Sequence, residues 1–300
     1  MLRTFEVFNY KNHIQTKVLF TLNSAPVLHT KINNIWTEVS SGTNIGMALA
    51  DIIFILNGNT PLYSNPNATK FKYEFEFDNQ IVEYSYQRDI NYYVLEETLI
   101  IGEHLIFNKK CTDKKVKPLI LKGAETLSFN GMGKSLPMIR YIYRNTQLNS
   151  TDTICAIFLK FINYIKGMVF FDLVNPMNYI YSHNPINDIS TILEEIVETK
   201  NVNLLEEFLN THGYNYKLNP VFDFTNRVDV EFNSMTYSLK SILSIKLAAL
   251  IILFYWNMIT RIELKDCSLM IIDNFNRAFG DNNRSIRSGL SNNPQYFIIS

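Results

Sequence analysis

The stretch Ser268-Leu269-Met270-Ile271-Ile272-Asp273 decides the fold that this sequence predicts. It is a short apolar run, including two β-branched isoleucines, that closes on one carboxylate. Strands of parallel sheets are buried on both faces and read as continuous apolar runs of this kind. The stretch therefore predicts an α/β protein in which a buried parallel strand ends at Asp273.

Asp273 is also a candidate ligand for a metal ion. In nucleotide-hydrolysing α/β proteins, an aspartate in this position holds the Mg²⁺ of the bound nucleotide, and an acidic neighbour positions the attacking water. Here the neighbour is Asn274, which carries no charge and is a poor base. The pattern suggests a bound nucleotide with Mg²⁺. No catalytic residue is assigned, because Asn274 takes the place of the catalytic glutamate.

The composition limits the classes of protein and partner. Hydrophobic residues make up 47% and charged residues 19% of 300, which fits a globular protein and excludes a disordered one. Lys plus Arg and Asp plus Glu number 28 each, so net charge does not support a nucleic-acid partner. A local basic patch can still occur. The lysines at 109, 110, 114, 115 and 117 predict a solvated turn or, alternatively, a contact with nucleic acid or a partner.

Cysteine usage and hydropathy predict a cytoplasmic protein without a membrane segment. Cys111, Cys155 and Cys267 are far apart and form no C-x-x-C pair, as expected for reduced thiols. The first residues lack the apolar core of a signal peptide. The most hydrophobic run, residues 247–256, is shorter than the roughly 20 residues that span a bilayer, so it predicts a core helix.

Hydrophobic periodicity predicts strands, then helices, then strands again. Alternation predicts a hairpin of residues 71–77 and 81–86 in the N-terminal part, with a second hairpin around Gly102. From Leu136 the period lengthens and predicts helices. Later elements follow the same rules: helices over residues 151–171, 189–198 and 202–210, strand character over 221–232, and a helix over 238–260.

These elements predict one domain over residues 1–300. We expect an N-terminal sheet lobe over residues 1–110 and a helical insertion over residues 135–215. A C-terminal lobe over residues 220–300 carries the Asp273 strand. Because the sequence shows no linker or internal repeat, we expect the two sheet-forming ends to share one core around the inserted helices.

A candidate phosphate loop lies between a predicted strand at residues 35–39 and a predicted apolar helix at residues 45–54. Strand, small-residue turn and helix is the order that a phosphate loop requires, because the backbone N–H groups of the turn and the helix start surround the phosphates. The candidate nucleotide-binding residues are Ser41, Gly42, Thr43 and Asn44. No lysine is present in this turn.

The order of these motifs resembles the ABC/RecF-like ATPases of the OLD-type and related "AAA family" phage-defence group. The resemblance is carried by the opening strand Leu2-Arg3-Thr4-Phe5-Glu6-Val7-Phe8-Asn9-Tyr10-Lys11, the hairpin at residues 71–86 and the stretch at residues 204–210. It implies a P-loop ATPase sheet core with a helical insertion, ATP and Mg as ligands, head-to-tail homo-oligomers and an antiviral role.

The catalytic motifs of that family are incomplete in this chain. The family loop reads G-x-N-G-x-G-K-[ST]-N, and its lysine reaches the β- and γ-phosphates, but no lysine separates Gly42 from Thr43. The stretch that corresponds to the family's Ser-Ser-Gly signature turn, residues 241–250, contains no glycine. With Asn274 in place of the glutamate, the resemblance implies a pseudo-ATPase.

A second stretch, Ser128-Phe129-Asn130-Gly131-Met132-Gly133-Lys134-Ser135, matches the family loop at seven of eight positions if Ser128 replaces the first glycine. Asn130, Gly131, Gly133, Lys134 and Ser135 are therefore an alternative phosphate loop. Such a string also arises in an ordinary turn, where the glycines adopt positive φ and the lysine is solvated.

Three functions follow from these observations. The first is a degenerate ATPase-like protein that acts as a binding or scaffold component, with phage defence as its implied setting. The second is an active ATPase that uses the loop at residues 131–135 or a site completed by another subunit. The third is an interaction protein that binds no nucleotide.

Overall fold

The structure is a computed structural model of the 300-residue chain. It describes residues 1–11, 13–21, 26–32, 35–38, 45–58, 67–113, 119–129, 136–172, 180–181, 189–223, 226–232, 234–255, 269–273 and 296–298.

Eight antiparallel strands form the largest sheet. In the middle of the sheet, buried residues alternate with more exposed ones and form one apolar face, as a half-buried sheet requires. The strand order is β4-β3-β2-β1-β5-β6-β7-β8. The strands are β1 (Leu2–Tyr10), β2 (His13–Leu19), β3 (Val27–Ile32), β4 (Ile35–Glu38), β5 (Thr69–Phe77), β6 (Gln80–Arg88), β7 (Val94–Ile101) and β8 (His104–Lys110).

Both hairpins predicted in this lobe are confirmed. Asp78 and Asn79 connect β5 to β6 with φ of 51° and 60°. Positive φ at both central residues defines the two-residue turn whose twist matches antiparallel strands. Gly102, with φ of 56°, turns β7 into β8. Local turn residues therefore set the register of the middle of the sheet.

Seven helices occur among the described residues. Two short helices follow β4, two longer ones follow β8, and three belong to the C-terminal half. The helices are α1 (Ile45–Leu49), α2 (Asp51–Asn57), α3 (Met138–Asn145), α4 (Thr153–Lys166), α5 (Ile189–Glu198), α6 (Val202–Thr211) and α7 (Ile245–Phe254), with a 3₁₀ turn at Leu239–Ile242.

A second sheet contains the strand that opened the sequence analysis. Its order is β10-β9-β14-β15, where the strands are β9 (Met168–Asp172), β10 (Ile180–Tyr181), β14 (Leu269–Asp273) and β15 (Tyr296–Ile298). Strand β14 pairs in parallel with both β9 and β15. The prediction of an α/β protein with a parallel strand ending at Asp273 is therefore confirmed.

Strand β9 corrects the predicted helix over residues 151–171. Helix α4 ends at Lys166, Gly167 follows, and the chain then enters β9. The run Met168-Val169-Phe170-Phe171-Asp172 has the same pattern as the Asp273 stretch, an apolar run closed by a carboxylate. Because a short apolar run fits a buried helix and a buried strand equally well, periodicity alone missed the change.

The sheet of β9 and β14 separates two hydrophobic cores. Met168, Phe170 and Ile271 join the core that contains the large sheet and α1 to α4. Phe171 and Ile272 join a second core with α5, α6 and α7. The expected single core is therefore correct for one face of the sheet only, because successive side chains of a strand point to opposite faces. The proposed division of the chain at residues 110, 135, 215 and 220 remains a prediction.

A third sheet covers the second core from outside, with the order β11-β12-β13 (Lys217–Val221, Arg227–Phe232 and Met235–Ser238). The predicted strand region at residues 221–232 contains β12 and only the last residue of β11. The predicted helix over residues 238–260 begins as a 3₁₀ turn, and α7 starts only after Ser244, whose hydroxyl accepts from the N–H of Leu247 at 3.1 Å. Serine at this position satisfies one of the free N–H groups of the helix start.

Candidate functional site

The candidate site is the edge of the second sheet where the parallel strands β9, β14 and β15 have their carboxyl ends. Asp273, the last residue of β14, lies in register with Asp172, the last residue of β9. In open α/β sheets, ligands bind at the carboxyl ends of the strands. Asp172 was not predicted as a site residue because its strand was assigned to a helix. The signal that could have found it is the repeat of the Asp273 pattern. Asn274 lies outside the described residues.

The first candidate phosphate loop connects two described elements. Ser41, Gly42, Thr43 and Asn44 lie outside the described residues, between β4 and α1. Helix α1 packs against β14, so the helix that follows the loop contacts the Asp273 strand. This contact is the one that a phosphate loop opposite Asp273 requires.

Strand β4 does not fit the context predicted for that loop. It pairs antiparallel with β3 at the edge of the eight-stranded sheet, and all four of its residues are exposed. In phosphate-loop proteins the loop leaves a buried strand that belongs to the sheet of the metal-binding aspartate. Here β4 and β14 belong to different sheets. The predicted order of strand, turn and helix is present, but its strand is not in the sheet that contains Asp273.

The N-terminus of the helix that follows the alternative loop already binds a carboxylate. Asn130, Gly131, Gly133, Lys134 and Ser135 lie outside the described residues, but α3, which follows them, begins at Met138. Its first N–H groups, those of Met138 and Ile139, donate to the carboxylate of Glu97 at 2.5 and 2.9 Å. Because a helix N-terminus attracts one anion, Glu97 weighs against a phosphate at this position.

Glu97 is fully buried, and the groups around it explain why burial is tolerated. The hydroxyl of Tyr84 donates to the carboxylate at 3.0 Å. Burial raises the pKa of Glu97, while the N–H groups of Ile139 and Met138, the Tyr84 hydroxyl and the charge of Lys109 lower it. Glu97 thus fixes the start of α3 on the large sheet. It is a structural anchor that the sequence analysis did not identify.

Lys109 corrects the predicted basic turn. It lies on β8, is buried, and its Nζ donates to the carbonyl of Leu136 at 3.3 Å. Burial lowers the pKa of Lys109. Lys110 lies on the same strand, 3.9 Å from Glu96. These two lysines therefore belong to the sheet, and the remaining lysines of the cluster lie outside the described residues.

A second buried carboxylate, Asp51, lies where α1 and α2 meet. It is 0% exposed and accepts from Nη1 of Arg88 at 3.0 Å, and Arg88 is 5% exposed. The hydroxyl of Tyr86 donates to its other oxygen at 2.8 Å. Burial, and then the charge of Asp51, raise the pKa of Tyr86. The sequence signal for this pair is a carboxylate inside an apolar helical stretch, which requires a buried partner.

The same network explains why the predicted helix over residues 45–54 is two helices. The hydroxyl of Tyr73 lies 3.3 Å from the carbonyl of Ala48 and 3.2 Å from that of Leu49. It also lies 3.3 Å from the Tyr86 hydroxyl. At the break, these bonds satisfy carbonyl groups that a continuous helix would pair internally. The network therefore fixes both helices on the large sheet.

The described residues fit ATP and Mg only in part. Carboxylates at the ends of β9 and β14 are the ligand type that Mg²⁺ prefers. In the described part of the chain, no group of three or more His, Cys, Asp or Glu side chains is placed to hold a metal ion. The exposed β4 edge also departs from a phosphate-loop strand. No described helix is long and apolar enough to span a membrane.

Comparison with known proteins finds similarity only among solved structures. No protein-family model matches the chain, and no curated protein matches it. Among solved structures, the chain is similar to the SMC head domain from Thermotoga maritima, with 12% identity and a TM-score of 0.39. The similarity covers 99% of this chain and 88% of that one.

Proposed function

We propose that this chain is a degenerate ATPase-like protein of the ABC/RecF type that acts as a binding or scaffold component without hydrolysing ATP. One observation carries the proposal. Strand β14 pairs in parallel with both of its neighbours and ends on Asp273, but Asn274 follows it in the sequence. An amide can bind water but cannot accept its proton, so the group that prepares the attacking water is missing.

If nucleotide binds, the proposal assigns it to Ser41, Gly42, Thr43 and Asn44, with Asp273 as the magnesium ligand. Bound Mg²⁺ would neutralise phosphate charge at the end of β14. Two contacts support this loop over the one at residues 130–135. Helix α1 packs against β14, and Glu97 already satisfies the start of α3. The missing lysine predicts weak binding, because the triphosphate loses a major charge contact.

A second candidate function is an interaction protein that binds no nucleotide. The observation that favours it is the exposed β4 edge, which separates the first loop from the sheet of Asp273. A homo-oligomer or a partner protein, and an antiviral setting, are further expectations from the family resemblance. The competing hypothesis is an active ATPase. It would use the loop at residues 131–135 or a site completed by another subunit, and the experiment below tests it.

Phosphate release and thermal unfolding with Mg-ATP test these functions together. We expect no steady phosphate release, and a ligand that binds only the folded state raises the unfolding temperature. A rise that disappears in Asp273→Ala supports the degenerate site, whereas no rise with any nucleotide supports the interaction protein. Steady release abolished by Asp273→Ala would overturn the proposal. Loss of binding in Lys134→Ala would assign the nucleotide to the second loop.

A further inference from the structure

Strand β4 forms an open edge of the eight-stranded sheet. Among the described strands, only β3 pairs with it. All four of its residues are exposed, Ile35 by 68% and Trp36 by 40%. Aromatic and β-branched residues favour strand pairing, and an edge with free N–H and C=O groups is a template for another strand. The edge of β4 is therefore a candidate surface for association.

The other edge of the same sheet carries protection that β4 lacks. Strand β8 contains Lys109 and Lys110, and its pairing with β7 shifts register between Leu99 and Ile100. Lysines and irregular pairing are features by which proteins prevent contact between sheet edges. Strand β4 has no lysine, no proline and no shift of register. A further strand can therefore pair at β4 more readily than at β8.

The register of β3 and β4 shows which backbone groups of β4 face outward. Ile32 and Ile35 are register partners with two residues between them. Partners this close in sequence form a hydrogen-bonded pair, and such pairs alternate with non-hydrogen-bonded pairs along antiparallel strands. Trp36 and Glu38 are therefore the residues whose N–H and C=O groups point away from β3. A strand added at this edge would form its hydrogen bonds at these two positions.

Two opposite charges lie on this edge. Trp36, Glu38 and Lys31, which is the register partner of Trp36, share one face of the sheet because side chains alternate between faces. Nζ of Lys31 lies over the Trp36 ring, 6.0 Å from its centroid. In the part of the chain that the structure describes, neither Lys31 nor Glu38 has an oppositely charged group within 4.0 Å. An edge with one cation and one anion is complementary to a reversed copy of itself.

We propose that β4 pairs antiparallel with β4 of a second copy of this chain, with Thr37 opposite Thr37. Trp36 then lies opposite Glu38 on both sides of the two-fold axis, and their outward N–H and C=O groups bond. Glu38 of each copy lies beside Trp36 of the other, within reach of the Lys31 ammonium. A pairing centred on Glu38 would instead place two carboxylates opposite each other, which is destabilising. One centred on Trp36 would move Glu38 away from Lys31.

The opposite face of the sheet favours the same register. Thr16, Thr30 and Thr37 are register partners across β2, β3 and β4, and the hydroxyls of Thr16 and Thr30 lie 3.5 Å apart. Thr37 opposite itself would continue this row into the second copy. Cross-strand threonine pairs form hydrogen bonds that stabilise a sheet. The contact includes no residue of the proposed nucleotide site, so it requires no nucleotide.

Analytical ultracentrifugation of the full chain without nucleotide tests this proposal, at concentrations up to about 1 mM because the contact is short. We expect the mass to rise with concentration toward that of two chains. Lys31→Glu would bring carboxylates together across the contact, and Glu38→Lys would bring cations together. Each variant alone should therefore associate at least about tenfold more weakly. An equimolar mixture of the two variants should associate again, because each contact then joins opposite charges.

Two controls separate the edge from general charge and from folding. Lys110→Glu reverses a charge on β8, at the other edge of the same sheet, and should leave association unchanged. Thermal unfolding checks that every variant is folded. A single-chain mass at all concentrations, association that persists in both single variants, or no association in their folded mixture would overturn the proposal. Association that occurs only with Mg-ATP would also overturn it, and would assign the contact to the nucleotide.

Discussion

Glu97 and Asp51 are both fully buried carboxylates, yet the fold stabilises them in different ways. Asp51 is paired with the guanidinium of Arg88 and the hydroxyl of Tyr86. Glu97 accepts two backbone N–H groups of a helix start and one tyrosine hydroxyl. Both carboxylates fix a helix on the same eight-stranded sheet. The comparison shows that one sheet face can anchor helices through an ion pair or through the partial charge of a helix end.

The largest effect is expected when the ion pair is broken. Asp51→Ala leaves Arg88 buried without that carboxylate and should lower the free energy of unfolding by about 3–5 kcal/mol, measured by urea denaturation. Lys160→Ala removes an exposed partner of Asp78 and should change the free energy of unfolding by about 0–1 kcal/mol. A similar small loss in both variants would show that Asp51 does not depend on the pair. Replacing Asp51 and Arg88 together by apolar residues should recover part of the loss.

A smaller effect is expected at Glu97. Glu97→Gln keeps the shape but removes the charge and one acceptor, so a buried N–H group loses its partner. We expect a loss of about 1–3 kcal/mol in the free energy of unfolding. Glu96→Gln changes the neighbouring residue of β7, which is only partly buried, and is the matched control. Equal losses in the two variants would contradict the role of Glu97 as the anchor of α3.

The pH dependence of stability tests the environment of Glu97 further. Burial raises the pKa of Glu97, so the folded state binds its proton more tightly than the unfolded state. The associated stability is fully present below the ordinary glutamate pKa and is lost as pH rises through the raised value. The difference in free energy of unfolding between the parent chain and Glu97→Gln should therefore decrease as pH rises across that window. A difference that grows with pH would contradict the direction of the shift.

The smallest effect concerns the place where α2 meets α3. Gly58 and Gly213 both follow a helix with positive φ, 73° and 90°. An added Cβ at Gly58 meets the guanidinium of Arg140, whereas one at Gly213 meets nothing within 4 Å. Each change to alanine should cost about 1 kcal/mol through the backbone. Gly58→Ala should therefore lower the unfolding temperature slightly more than Gly213→Ala does. A greater decrease in Gly213→Ala would contradict this and would mean that the Arg140 side chain moves away at little cost.

The sequence predicted the elements whose signals are local. The Asp78-Asn79 turn determined its hairpin, and the apolar run before Asp273 predicted a parallel strand. Strand β9 was missed because its apolar run continues that of α4, and only Gly167 marks the change. The apolar surroundings of Asp51 in the sequence signal a buried partner, but Arg88 could not be identified as that partner because it lies 37 positions away. Of the site, Asp273 was predicted at its observed strand end, whereas its neighbour Asp172 was not.

The parallel pairing of β9 with β14 has a consequence for synthesis of the chain. Strand β14 begins about 100 residues after β9 ends, so translation at about 5–20 residues per second separates them by about 5–20 seconds. The N-terminal hairpins can pair during that interval because their partners are adjacent. The edge of β9 that pairs with β14 stays unpaired during this interval. The strand itself contains the apolar residues Val169, Phe170 and Phe171. A nascent chain halted before residue 269 should therefore be the most prone to bind chaperones.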